Sequence, residues 1–332
     1  MDRGRCHLIV IVMAALAWLV GTPARAAEPA LALETKIPLG DVGGRIDHLA
    51  VDLDHRRLFV AELGNDSVGV VDLDTKRVAQ RIGKLSEPQG VAYLPPLDTL
   101  AVANASDGSV RFFSGPGLEF AGRIELKDDA DNIRVLPDAR TIAVGFGSGG
   151  LALIDVARRA RLRDIPLKDH PEAFQLEPGG ARLFVNVPDG REIAEVDWQQ
   201  GRQLASWRVP DARANFPMAF VAPRRQVIAV FRNPARLVAL AADGGAVQAS
   251  VATCGDADDV FHDARRDRLY VVCGEGAVDV LAAAGTGYRA LSRIKTVSGA
   301  RTGLFVPALD RLYVAVRARG AEPAAIWVFT PE

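Results

Sequence analysis

Three cysteines, five histidines and an aromatic content of 6% leave this 332-residue chain short of the residue types that carry thiolate, haem or stacking chemistry. An excess of charge of one sign is also missing. Forty basic residues face 41 acidic ones and no basic tract occurs, so no global field recruits nucleic acid or an anionic membrane, and no nucleic-acid partner is expected. Cys-x-x-Cys-His, Gly-x-Ser-x-Gly, the Walker phosphate loop and His-x-x-x-His are all absent. Their absence removes covalent haem, the serine-hydrolase elbow, P-loop nucleotide chemistry and the zinc-binding helix. The run Gly145-Phe146-Gly147-Ser148-Gly149-Gly150 is glycine-rich, yet it joins two extended segments with no helical pattern after it, the wrong setting for a dinucleotide loop.

Long apolar runs are scarce as well. Residues 8–20 form an uncharged run that follows two arginines and precedes Ala24-Arg25-Ala26, the pattern of a secretory leader cut near Ala26 and Ala27. The run is shorter than the roughly 20 residues a bilayer core requires, and Cys6 has no lipoprotein box before it. We therefore expect a signal peptide over 1–26 and one domain over 27–332. The expected mature chain is periplasmic or secreted, has no transmembrane span and is a monomer.

What is abundant is punctuation. With 49% hydrophobic residues, 31 glycines and 19 prolines, the chain has enough apolar material for a large core but breaks it often. Sliding the sequence against itself shows why. Arg57-Leu58-Phe59-Val60-Ala61 returns as Thr99-Leu100-Ala101-Val102, Thr141-Ile142-Ala143-Val144, Arg182-Leu183-Phe184-Val185, Gln226-Val227-Ile228-Ala229, Arg268-Leu269-Tyr270-Val271 and Arg311-Leu312-Tyr313-Val314. Anchored on positions 58, 100, 142, 183, 227, 269 and 312, the spacings are 41 to 44 residues. Each repeat reads as an apolar strand, a tight turn, the anchor strand, a loop, a third strand and a more charged fourth. Four strands per repeat of that length is the arithmetic of a β-propeller blade, so the sequence predicts an all-β, seven-bladed propeller. The last repeat lacks a fourth strand, while residues 32–39 look like an outer strand with nothing before it. The N-terminal strand is expected to complete the last blade and close the ring, since an open ring would leave bare edges.

The first repeat, Leu58-Phe59-Val60-Ala61-Glu62-Leu63-Gly64-Asn65-Asp66-Ser67-Val68-Gly69-Val70-Val71-Asp72, with Arg81-Ile82-Gly83 and Glu87-Pro88-Gln89-Gly90-Val91-Ala92 after it, resembles the YVTN repeat of exported bacterial β-propellers, the YncE-like family. Later repeats, such as the one holding Asn233-Pro234-Ala235-Arg236, depart from it. The resemblance implies an exported propeller and, for most members, no established reaction; it supplies no catalytic residue.

Topology says where a site would lie. The first strand of each blade lines the central channel, and function gathers on loops over a rigid scaffold. Counting eleven residues back from each anchor gives Asp47, Gln89, Asp131, Glu172, Phe216, Asp258 and Arg301, and the next position adds His48, Asn132, Asp259 and Thr302. This acidic mouth is the expected ligand site. Asp47, Asp131, Glu172 and Asp258 could hold Ca²⁺ or another divalent cation, although acids there could equally fix turns, with Arg301 neutralising two of them. A metal-dependent lactonase or esterase is the alternative to a pure binding scaffold, with His48 as the candidate for proton transfer. His170 is a candidate to support the ring, His55 a solvated turn residue and His262 a satisfied core residue. Loop residues including Glu62, Glu192, Arg232, Asn233, Arg317 and Arg319 could instead dock a periplasmic protein or peptide. Cys254 and Cys273 flank Asp256, Asp258 and Asp259. Strand direction brings both thiols to the channel-mouth face, so a structural disulfide is expected.

Overall fold

The computed structural model describes Met1 and residues 30–332, so the expected leader, with Cys6 and His7, lies outside the described residues. Seven four-stranded antiparallel sheets follow one another along the chain, all but one made of consecutive strands. The exception places Leu31–Gly40 beside Ala324–Pro331, completing the sheet that contains Gly303–Val306 and Arg311–Val316. The propeller is seven-bladed and closed by its N-terminal strand.

Position within a blade explains the composition of each strand. In the first blade the second and third strands, Arg57–Glu62 and Ser67–Asp72, are buried along nearly their whole length, because neighbouring blades cover both faces of the sheet. The fourth, Arg77–Ile82, is mostly exposed and carries the charge. Cores form between blades: Phe59, Val68 and Val70 of the first pack with Val91, Leu100 and Val102 of the second. The turn into the anchor strand ends in a left-handed residue in five blades, Arg56, Asp98, Arg225, Asp267 and Asp310, with φ between 42° and 53°, and three of the five are aspartate, one of the side chains enriched in this conformation.

Ring closure is made by packing and by polar clamps. Leu31, Ile37 and Leu39 of the closing strand are at most 2% exposed. Ile37 and Leu39 share a core with Leu58 and Val60 of the first blade and Ile326 and Val328 of the last. Arg81 Nη2 donates to the Leu39 carbonyl at 2.6 Å, and Lys76 Nζ donates to Glu34 at 3.0 Å.

Cys254 and Cys273 form a disulfide with Cα atoms 5.9 Å apart, both buried. It ties the loop leading into Ala257–Asp263 to the end of Arg268–Cys273.

Several side chains depart from their expected settings. Glu62 is fully buried, accepting from Ser67 Oγ at 2.5 Å and Arg81 Nε at 2.8 Å, and Glu192 is buried against Gln203 and Ser206. Neither is free on the rim, because both start or end strands that neighbouring side chains cover. His262 is not satisfied: its Nε2 is buried without a hydrogen-bond partner among the described residues, 3.6 Å from Asp267. His55 stays half-exposed in its turn, with Nδ1 2.8 Å from Asp52.

Candidate functional site: the channel mouth

The positions eleven residues before the anchors share one environment because the backbone repeats the same irregularity there. In the second, third, fifth and sixth blades the first-strand register slips between Pro88 and Val91, Ala130 and Ile133, Asn215 and Met218, and Ala257 and Asp259. The slips fall on Gln89, Asp131, Phe216 and Asp258, and a bulge of this kind re-aims a side chain out of the sheet. In the first, fourth and seventh blades a backbone bond substitutes for the ladder. Ala61, Asn186 and Ala315 donate to the carbonyls of His48, Ala173 and Thr302 at 2.9 to 3.0 Å. All seven residues, one per blade, line one cavity of about 300 Å³ at the channel mouth. Gly90 lets two blades meet there, since a Cβ on it would lie 2.1 Å from the Asp131 carbonyl oxygen.

The cavity also takes side chains from outside that register: Arg45, Asp129, His170 and Arg232. The mouth is therefore not a bare acidic ring. Five carboxylates, three guanidinium groups and two imidazoles line it, and most of the positive charge lies on the side formed by the fifth to seventh and first blades. Arg45 Nη2 donates to Asp47 at 2.8 Å. Arg232 lies over the Phe216 ring, 3.6 Å from its centroid, donates to the Ala257 carbonyl at 2.9 Å and pairs with Asp258. Arg301 is 3.1 Å from Asp256 and 3.6 Å from Asp258. Asp47 and Asp258 are thus paired with arginine and do not converge with the other acids on one ion, contrary to the four-carboxylate expectation.

Asp259 and Thr302 are not in the mouth. Neighbouring side chains on an extended chain point to opposite sides, so Asp259 faces a second cavity of about 360 Å³ lower in the channel, where it accepts from the Gly303 amide at 2.9 Å. His48 and Asn132 border both cavities. Arg232 belongs to the mouth and not to the rim. The clue to it in the sequence is Phe216, the lone apolar member of the seven, which offers a face for a cation.

On the side of the third and fourth blades, Asp131, His170 and Glu172 place one ligand atom each within 4.8 Å of one another. His170-Pro171-Glu172 is built for this. Proline fixes its own φ and holds the preceding residue extended, and residues two apart on an extended chain face the same way.

Burial and crowding change the protonation of the mouth. Burial, then repulsion from Asp131 and Asp258, pushes Glu172 up to about 8. Burial lifts Asp258 to about 7 against the opposing pull of Arg232. Burial would lower both histidines, but Asp259, Asp47 and Asp131 outweigh it at His48, which rises to about 10, and Asp131, Gly147 and Asp129 outweigh it at His170, which rises to about 9. His48 thereby holds its proton more tightly than a free imidazole does. All four groups hold protons more tightly folded than unfolded, so stability falls as pH rises from the lowest unfolded value, 3.8 for Asp258, to the highest folded one, about 10. We expect urea unfolding to show a loss of about 2 kcal/mol or more between pH 5 and 9, and a shallower loss in Glu172→Gln. Stability that is level or rising over that range would contradict the crowding.

No family model matches the chain. Glutamate 5-kinase of Zymomonas mobilis subsp. mobilis is 28% identical over 155 residues, 44% of this chain and 36% of that protein, so the chain spans little more than a third of that relative's length. Among solved structures, Kuenenia stuttgartiensis hydrazine synthase superposes with a TM-score of 0.73 at 18% identity, covering 92% of this chain and all of that one. That likeness is of fold: the chain is a β-propeller scaffold.

Proposed function

We propose that this propeller is an exported scaffold of the YVTN-repeat type whose channel mouth binds a small polar molecule bearing opposite charges. The carrying observation is that every blade contributes one residue to a single cavity of about 300 Å³, with Asp129, Asp131 and Glu172 on one side and Arg45, Arg232 and Arg301 on the other. That volume is at the lower end of the range for small-molecule pockets. Export is supported by the leader-like residues 1–26 and by a buried disulfide, which persists in oxidising compartments. Lactone or ester hydrolysis is a second reading, supported by Asp131, His170 and Glu172 alone, which could hold an ion that activates water.

A panel of amino acids, short peptides, dicarboxylates and lactones, screened by thermal shift and followed by calorimetry, tests the proposal. A zwitterionic compound is expected to raise the melting temperature, with affinity at least tenfold weaker in Arg232→Gln. Failure of every charged compound at millimolar concentration would count against it, as would hits that Arg232→Gln leaves unchanged.

A further inference from the structure

We propose that Asp131, His170 and Glu172 form a binding site for one first-row divalent metal ion of the Zn²⁺, Mn²⁺ or Fe²⁺ class. The inference rests on the mouth being a binding site and specifies what its carboxylate side takes.

Two independent observations lead there. The first is the convergence of two carboxylates and an imidazole within 4.8 Å. The second is an orphaned acceptor. Asp131 is only 5% exposed and borders the cavity, yet its Oδ1 is buried with no hydrogen-bond partner among the described residues. Leaving a buried acceptor unpaired is costly, and more so for a carboxylate oxygen. Two of the other four acids at the mouth are relieved by arginine, Asp47 by Arg45 and Asp258 by Arg232 and Arg301. Among the described residues Asp131 has no arginine partner of this kind; its Oδ2 lies 3.8 Å from His170 Nε2. A cation in the cavity would satisfy it.

The histidine is held for the same role. His170 Nδ1 lies 2.6 Å from the Gly147 carbonyl oxygen. A carbonyl can only accept, so Nδ1 keeps its proton, and Nε2, the nitrogen facing Asp131, is the one an ion would bind, releasing the proton held there to solvent. Metal-binding imidazoles are oriented in this way by a carbonyl or carboxylate on their other nitrogen. The nitrogen donor also selects the metal. Ca²⁺ and Mg²⁺ prefer all-oxygen sets, whereas one imidazole with two carboxylates suits first-row transition ions and Zn²⁺. Three protein donors leave positions open for a ligand, as in catalytic and transport sites rather than closed structural ones. Arg232 lines the same cavity, and its charge could hold the anionic end of a molecule bound to the ion.

The test uses the mature protein stripped with chelator and titrated separately with Zn²⁺ and Mn²⁺ by calorimetry. One ion per chain is expected, with affinity reduced at least tenfold in Asp131→Asn and in Glu172→Gln. Cu²⁺ bound in the same site should show one imidazole nitrogen by pulsed electron paramagnetic resonance, and the signal should vanish in His170→Gln while its thermal melt stays cooperative. No uptake of either ion at about 1 mM, or an imidazole signal that survives His170→Gln, would overturn the site. Organic compounds that bind the metal-free protein with no ion uptake would refute the metal while leaving the mouth as a ligand site. Ion uptake with no organic binding would support the metal and refute the broader proposal.

Discussion

Deleting residues 31–40 is expected to abolish cooperative folding rather than trim an end. Leu31, Ile37 and Leu39 are buried on both sides of the ring joint, and withdrawing three such side chains forfeits about 6 kcal/mol of burial. Native domains hold only about 5–15 kcal/mol in total, and the loss extends further. The clamps from Arg81 and Lys76 lose their acceptors, and Ala324–Pro331 becomes an exposed strand edge that invites pairing between molecules. The truncated chain should lack a sharp thermal transition and elute as aggregate in size-exclusion chromatography. A monomeric truncation melting within about 5 °C of the full chain would show that the ring does not depend on this strand.

The second large effect is at the disulfide. Cys254 and Cys273 close a loop across 19 residues, and a cross-link over a loop of that size stabilises by about 3 kcal/mol. Replacing both with alanine should lower the melting temperature by about 5 °C. The effect should also reach the mouth, since Cys254 lies four residues before Asp258 and its amide donates to Asp279 at 2.7 Å, which in turn binds Arg293. Both sulfurs are held in the bridge, so thiol labelling of unreduced protein should find neither of them in the native or in the denatured state. Two reactive thiols after denaturation without reductant would contradict the bridge.

The repeats were legible because propeller geometry imposes one period on the whole chain: the Arg-Leu-Phe-Val strand recurs wherever a blade must bury its second strand on both faces. Closure was legible from a mismatch, a strand too many at one end and too few at the other. Counting eleven residues back from each anchor could name one mouth residue per blade, because the same bulge or substitute bond falls there each time. What lay beyond that count was hidden for a physical reason. Arg232 comes from a second strand, Gln226–Asn233, and reaches the mouth only by crossing to Asp258, 26 residues on. Arg45 and Asp129 lie two residues before the counted positions of their blades, as does His170, which its place before Pro171-Glu172 had already marked. The pairing of Asp258 with Arg232, and the lack of an arginine partner for Asp131 among the described residues, depend on distances between blades. Asp259 was misplaced because a one-residue step on an extended chain reverses the side chain.

The central claim, that the mouth and not the rim receives the ligand, is tested most directly by a reporter placed inside the cavity. Phe216 lines the mouth, whereas Phe120 is 61% exposed on the outer strand Glu119–Glu125. A compound that calorimetry shows to bind should change the fluorescence of the Phe216→Trp variant saturably, with the same dissociation constant, and leave Phe120→Trp unchanged. A compound that binds by calorimetry while Phe216→Trp stays silent would contradict the account.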